Sequence, residues 1–328
     1  MKRYIDKAAR RAVVFSLLAG MAAMAGVARP VRAEPPVRIV VGFPPGGTTD
    51  VIARLVANNL GARLGRTVIV ENRAGASGSI AASMVAKAPA DGDTLLFAPS
   101  SHATNATLYA NQPFDTEKDF AAVGLVATTP YVLVVNPKLP VHSVPELVSY
   151  LKEHPGKLAY ASSSPGTGQH LAGELFKKAA DVDMLHVPYK GSSAALPDLL
   201  AGRTPIMFDN IAVMLPHIKS GSLRPLSVTS RKRSQLLPDA PTVVETGLRD
   251  YEVLGWFGLF APAKTSPQVI GTLSTALNAA AEEPAFRKQL AELGAEAVRS
   301  TPQKTDTFVR NEIGKWRAVI REAKITLN

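Results

Sequence analysis

The sequence predicts an α/β protein of two lobes, each a mixed sheet flanked by helices, with one lobe inserted into the other. Three observations carry this. Short apolar runs rich in β-branched residues alternate with amphipathic helical segments, the pattern of parallel or mixed sheets covered on both faces. There are too many such strands for one small sheet, so two sheets enclosing a cleft fit better. Several strands end alike, in Gly-, Ser- and Thr-rich segments that lead into helices. The chain crosses near residues 130–136 and returns near Gly255. Residues 34–133 and 255–328 then form one lobe and 134–254 the inserted one, with the crossings as a hinge.

The chain has 328 residues, 46% hydrophobic and 20% charged, enough for a large core. It has no Cys, which excludes a thiol nucleophile, a zinc–thiolate site and a disulfide. Residues 1–33 read as a secretory signal peptide. Lys2, Arg3, Lys7, Arg10 and Arg11 form a basic region, residues 13–27 are uncharged, and Val31-Arg32-Ala33 offers a small-x-small cleavage site. A membrane anchor is the competing reading, but a span takes ~20 apolar residues. Export by the Sec route is expected, with Arg10-Arg11 also permitting the twin-arginine route. The leader holds 7 of the 37 Lys and Arg and 1 of the 27 Asp and Glu, leaving 30 against 26, a net charge of +4. That excess does not call for nucleic acid and suits a small anion.

Taken in order, Val37-Arg38-Ile39-Val40-Val41 is a buried strand, broken by Pro44-Pro45-Gly46-Gly47. A helix restarts at Thr48-Thr49-Asp50, with apolar Val51, Ile52, Leu55, Val56 and Leu60. Strand 67–71, a glycine-rich loop, helix 80–87 and strand 94–98 follow, the last ending in Pro99-Ser100-Ser101-His102. Residues 121–127 and 131–135 read as two strands split by Thr128-Thr129-Pro130. The inserted lobe then has helices at 144–154, 171–180, 194–201 and 213–220, and strands at 158–161, 184–187, 205–208 and 226–228. An apolar strand at 255–262 and helices at 269–281, 285–293 and 305–323 close the chain.

The strand exits are residues 43–49, 100–102, 162–170, 189–193 and 209–210. At the carboxyl edge of an open α/β sheet such exits share one face, where ligands bind. Glycine allows close backbone approach, and a helix start offers N–H donors to an anion. A carboxylate, able to accept several hydrogen bonds, suits that lining. For any one exit the plain alternative is a turn and helix cap. The loop at Gly46-Gly47 lacks the Lys of a Walker loop and the spacing of a dinucleotide fingerprint. Asp209 reads either as a receiver of a ligand amino or hydroxyl group or as a cap for the next helix.

Enzyme readings are weaker. No two of the six histidines have the i, i+4 spacing of a helical zinc site, so no metal or cofactor is expected. Ser149-Tyr150-Leu151-Lys152 matches S-x-x-K but lies within a helical segment and has no K-T-G companion. A serine hydrolase assembled from Ser100 or Ser101, His170 or His186, and Asp209 is the competing function.

Five motifs in sequence carry a resemblance. They are Phe43-Pro44-Pro45-Gly46-Gly47 with Asp50, Val70-Glu71-Asn72-Arg73 with Gly75 and Gly78, Pro89-x-Asp91-Gly92, Ser164-x-Gly166-x-Gly168 with His170-Leu171, and Val187-Pro188-Tyr189-Lys190-Gly191. From about Pro36 to its end the chain resembles the Bug-type extracytoplasmic solute receptors of tripartite tricarboxylate transporters. The resemblance implies a type II periplasmic-binding-protein fold and a monomeric receptor without catalytic residues. Its ligand would be a di- or tricarboxylate, amino acid or aromatic acid held between closing lobes. A membrane permease would be its partner, or it would serve as an orphan or signalling receptor. The loops of Phe43, Pro45, Gly46, Gly47 and Thr48 and of Ser162, Ser164, Gly166, Thr167, Gly168 and His170 would grip one carboxylate. Ser100, Ser101, His102, Tyr189 and Asp209 complete the expected ligand-binding set.

Overall fold

The computed structural model describes residues 34–109, 111–249, 251–322 and 325, so the expected leader lies outside the described residues. The first sheet is built from β1 (Val37–Val41), β2 (Val68–Asn72), β3 (Thr94–Pro99), β9 (Leu254–Pro262), the first part of β4 (Phe120–Val135) and the two-residue β10 (Glu296–Ala297). β1 lies between β2 and β3, parallel to both, whereas β9 runs antiparallel to β3 and to β4. The second sheet holds β5 (Ala159–Ser162), β6 (Leu185–Pro188), β7 (Ile206–Asn210) and β8 (Arg224–Val228). There β5 is parallel to β6 and β7, and the last residues of β4 run antiparallel to β7 and β8. Both sheets are mixed, as the alternation of elements predicts.

The two expected strands around Thr128-Thr129-Pro130 are one strand of 16 residues, which corrects the sequence reading. Pro130 has no N–H to donate, but it pairs with Leu254 where β4 leaves the first sheet. The Tyr131 amide then donates to the Thr229 hydroxyl at 2.8 Å and begins the second sheet. Proline is tolerated where a strand changes partners.

Helices cover both faces of each sheet. On the first, α1 (Thr48–Leu64), α8 (Pro267–Glu282) and α9 (Pro284–Glu292) bury Ile52, Val56, Leu60, Leu273, Leu277 and Phe286 against one face. α2 (Ser79–Ala86) and α3 (Ser101–Leu108) cover the other. On the second sheet, α4 (Val144–Glu153) and α5 (Gly168–Ala180) bury Leu147, Leu151, Leu171 and Phe176, while α6 (Ser192–Ala201) and α7 (Ile211–Lys219) lie opposite. The last helix, α10 (Pro302–Glu322), belongs to both. Its Val309 and Ile313 enter the first core and its Trp316 and Ile320 the second. Between them, Glu312 accepts from the Trp256 indole at 3.1 Å and the Trp316 indole at 2.9 Å. Among the described residues no helix is long and apolar enough to cross a membrane.

Candidate ligand-binding site

A cavity of about 390 Å³ is lined from both sheets. All five polar strand exits open on it: residues 43–49 after β1, 99–101 after β3, Ser163 and 167–169 after β5, 191–193 after β6, and Asn210 at the end of β7. Each exit is also a helix start, so α1, α3, α5, α6 and α7 all begin at the cavity. None of these five starts is capped by a hydrogen bond from its own N-cap side chain. Free N–H groups and the positive end of each helix dipole therefore gather around one space. No Asp, Glu, Lys, Arg or His lines it. The remaining walls are apolar or aromatic: Phe43, Pro99, Tyr131, Leu196, Val213, Trp256 and Phe257. Among the described residues no group of acidic, His or Cys side chains is placed to hold a metal.

The first loop is held by a carboxylate. Asp50, 2% exposed, accepts from the Gly46 amide at 2.9 Å, from Arg54 twice at 3.0 Å and from Asn72 at 2.9 Å. Asn72 also donates to the Phe43 carbonyl at 3.0 Å. Burial by itself pushes the Asp50 carboxyl up, but Arg54, Gly46 and Asn72 together hold it below its ordinary value. The Gly46 amide is thus spent on Asp50, and Gly46 serves by its φ of +81° rather than as a donor.

On the opposite wall, Gly191 donates to the Ser163 carbonyl at 2.7 Å and Tyr189 to the Ser162 carbonyl at 2.9 Å, which ties the exits of β5 and β6 together. Tyr131 sits where the sheets meet. A Cβ on Gly168 or on Gly255 would run into its hydroxyl, so both glycines give the ring its place.

Of the residues expected from sequence, Phe43, Pro45, Gly46, Gly47, Thr48, Ser100, Ser101, Thr167 and Gly168 line the cavity. The others stand behind it. His102 is buried between Phe120 and Phe260, with ring centroids 5.0 and 5.1 Å away, and burial lowers it to about 4. The Ser162 hydroxyl is 2.7 Å from His186 Nε2. Ser164 pairs with Ser77 at 2.8 Å, and the Gly166 amide donates to His170 Nδ1 at 3.0 Å. Tyr189 points its hydroxyl at Asp198, 2.7 Å away. Asp209 is fully buried, accepting from Gln169 at 3.0 Å and from the Asn210 amide at 2.7 Å. Burial pushes its carboxyl up against the opposing hydrogen bonds of Gln169 and Asn210. Asp209 therefore sets Gln169 and Asn210, which do line the cavity, and is not itself on the wall.

The competing triad is not assembled. Ser101 donates to the Ser77 carbonyl at 3.1 Å, the His170 and His186 rings stack on each other 3.8 Å apart, and Asp209 engages Gln169. The expected site set omits Tyr131, Gln169, Ser192, Ser193, Asn210 and Trp256, which also line the cavity. Gln169, Ser192, Ser193 and Asn210 fall within the polar exits read from the sequence. Tyr131 and Trp256 read as strand core.

Comparison with known proteins agrees with this geometry. The family model described as "Tripartite tricarboxylate transporter family receptor" matches residues 52–325. Protein BugT of Bordetella pertussis is 40% identical over 306 residues, 92% of this chain and 94% of its own. An R. palustris protein solved with adipate superposes with a TM-score of 0.85 at 40% identity, covering 89% of this chain and 98% of that one. MatC from Rhodopseudomonas palustris, solved with bound malate, gives 0.81 at 31% identity over 87% of this chain and 98% of its own. The chain belongs to the tripartite tricarboxylate transporter family of receptors, with their two-lobed periplasmic-binding-protein fold, and is a binding protein rather than an enzyme.

Proposed function

We propose that this protein is a periplasmic receptor that captures a small carboxylate in the cavity between its sheets and delivers it to a tripartite permease. The observation that carries this reading is the convergence of five uncapped helix starts on a cavity with no charged side chain. Such a lining favours an anion through main-chain amides and hydroxyls, and the helix dipoles supply the opposing charge. The gripping residues are Gly47, Thr48 and Thr49 from one side and Thr167, Gly168, Ser192 and Ser193 from the other. Tyr131, Trp256, Phe257, Leu196 and Val213 cover a carbon skeleton. The relatives solved with adipate and malate support a dicarboxylate.

The lobes correspond to residues 34–133 with 255–328 and to 134–254, joined by β4, by the segment entering β9 and by α10. Binding selects the closed arrangement of the lobes. The signal peptide directs the monomer to the periplasm, where the closed face docks on the permease.

A thermal-shift screen of adipate, malate, citrate and amino acids tests the ligand class. The expected outcome is stabilisation by one or a few dicarboxylates, recovered chemically unchanged. Gly47→Val tests the site. A Cβ there meets only the Pro44 carbonyl oxygen, at 3.8 Å, and φ is −79°, so the variant folds while its side chain fills the grip. Undiminished binding in that variant would rule the loop out.

A further inference from the structure

The turn between β2 and α2 has four successive residues at positive φ: Gly75 at 140°, Ala76 at 46°, Ser77 at 51° and Gly78 at 95°. Two of them carry side chains in a region that disfavours a Cβ, and such strain persists only where the surroundings hold it. What holds Ser77 comes from both sheets, and two of its hydroxyl's three partners come from the second. Its hydroxyl is 2.7 Å from the Pro165 carbonyl, 2.8 Å from the Ser164 hydroxyl and 3.3 Å from the Tyr109 hydroxyl. One hydroxyl has one proton and two acceptor positions, so Ser77 donates to Pro165 and accepts from Ser164 and Tyr109, with all its capacity used. Its carbonyl accepts from Ser101 at 3.1 Å and from Asn105 at 3.0 Å. Beside it, the Thr104 hydroxyl donates to the Gly166 carbonyl at 2.5 Å.

Ser77 and Thr104 belong to the first sheet's layer, and Ser164, Pro165 and Gly166 to the loop between β5 and α5 of the second. That loop leads into Thr167 and Gly168, and Ser101 lines the cavity from the opposite side. The strained turn therefore touches both walls without lining the cavity itself.

We infer that Ser77 is a latch that holds the two lobes closed across the cavity. This rests on the reading of the protein as a closing receptor. The latch contacts the receptor and not the ligand, so it shifts the closed population for every ligand alike, setting affinity and residence time without setting specificity. Opening the lobes exchanges these contacts for water, so the latch is made only in the closed form.

The chain has no Cys, which allows a clean pair of spin labels. Labels at Asn58→Cys on α1 and Ala179→Cys on α5, both exposed, report the separation of the lobes in the ligand-free protein. Ser77→Ala and Ser164→Ala are each expected to deplete the short-distance population and to speed adipate dissociation by about three- to tenfold. The double variant is expected to be no worse than Ser77→Ala, because the pair acts as one unit. A purely structural Ser77 lowers the melting temperature without moving the distance distribution. Unchanged distances in both single variants overturn the latch. Distances that respond while no carboxylate binds leave the latch standing and sink the receptor reading instead. Equal adipate affinity in wild type and both variants does the reverse.

Discussion

Helix starts at the cavity and helix starts elsewhere are built differently. α4 begins with Ser143, whose hydroxyl accepts from the Glu146 amide at 3.3 Å, while the Glu146 side chain reaches back to accept from the His142 amide, one residue before the cap, at 2.8 Å. α8 begins with Ser266 accepting from Val269 at 3.3 Å, and α10 with Thr301 accepting from Lys304 at 3.2 Å. None of these caps lines the cavity. The five starts that do line it carry Gly, Ser, Thr or Asn at the capping position and leave the first amides unfilled by that side chain. An N-cap contributes about 0.5–2 kcal/mol. At α4, α8 and α10 the fold collects that stabilisation; at the cavity it forgoes it, which keeps donors free for an anion. α2 and α9 lack caps as well, so an uncapped start is not by itself a site; convergence of several is.

The contrast can be broken most sharply at Gly168. An added Cβ there meets the Tyr131 hydroxyl and ring, so Tyr131 or the first turn of α5 must move. Gly168→Ala is expected to weaken carboxylate binding about 100-fold by calorimetry, on the scale of misplacing a main-chain anion grip. A loss under tenfold would show that the α5 start is not part of it. Next in size is Asp50→Asn, which removes the charge that fixes the Phe43–Gly47 turn. Affinity should fall about tenfold, and denaturant unfolding should register a loss on the order of 2–3 kcal/mol.

A third expectation concerns pH. His102 and His170 are lowered to about 4 and His186 to about 3, all chiefly by burial, with neighbouring positive charge adding to the last two. In the unfolded chain they titrate near 6.5, so from there down to about 4 the unfolded state binds the extra protons and stability falls with pH. Asp50 acts lower: its contribution is complete above the ordinary carboxylate value of 3.8 and is lost as pH drops through its depressed one. The melting temperature at pH 4.5 should lie at least ~5 °C below that at pH 7, and a flat profile would contradict the burial of the histidines. The smallest effect sharpens the other side of the comparison. Ser143→Ala should cost about 1 kcal/mol in stability and leave ligand affinity unchanged.

Much of this was readable from the chain. The alternation of strands and helices gave the two sheets, and the repeated polar exits gave the face on which they open, because both depend on local composition. What escaped depends on contacts distant in sequence. Thr128-Thr129-Pro130 looks like a break, yet Thr229, 98 residues from Tyr131, supplies the acceptor that carries β4 into the second sheet. Tyr131 and Trp256 have the residue types of a buried core, and only the meeting of two strands turns their edges to a cavity. Asp209 and His102 sit at strand exits, but the Asp209 carboxyl is buried against Gln169 and the Asn210 amide and the His102 side chain lies between two phenylalanines. Residue type and position along a strand do not report which way the last residue turns. The Ala76-Ser77 conformation left no trace beyond the glycines flanking it.

Main-chain amides have a heritable consequence. A guanidinium can be deleted by a single codon change; a peptide N–H survives every replacement except proline. A receptor that grips its ligand this way keeps its hold on one carboxylate while positions such as Leu196 and Val213 drift, so duplicated copies can diverge toward new acids without first passing through a form that binds nothing.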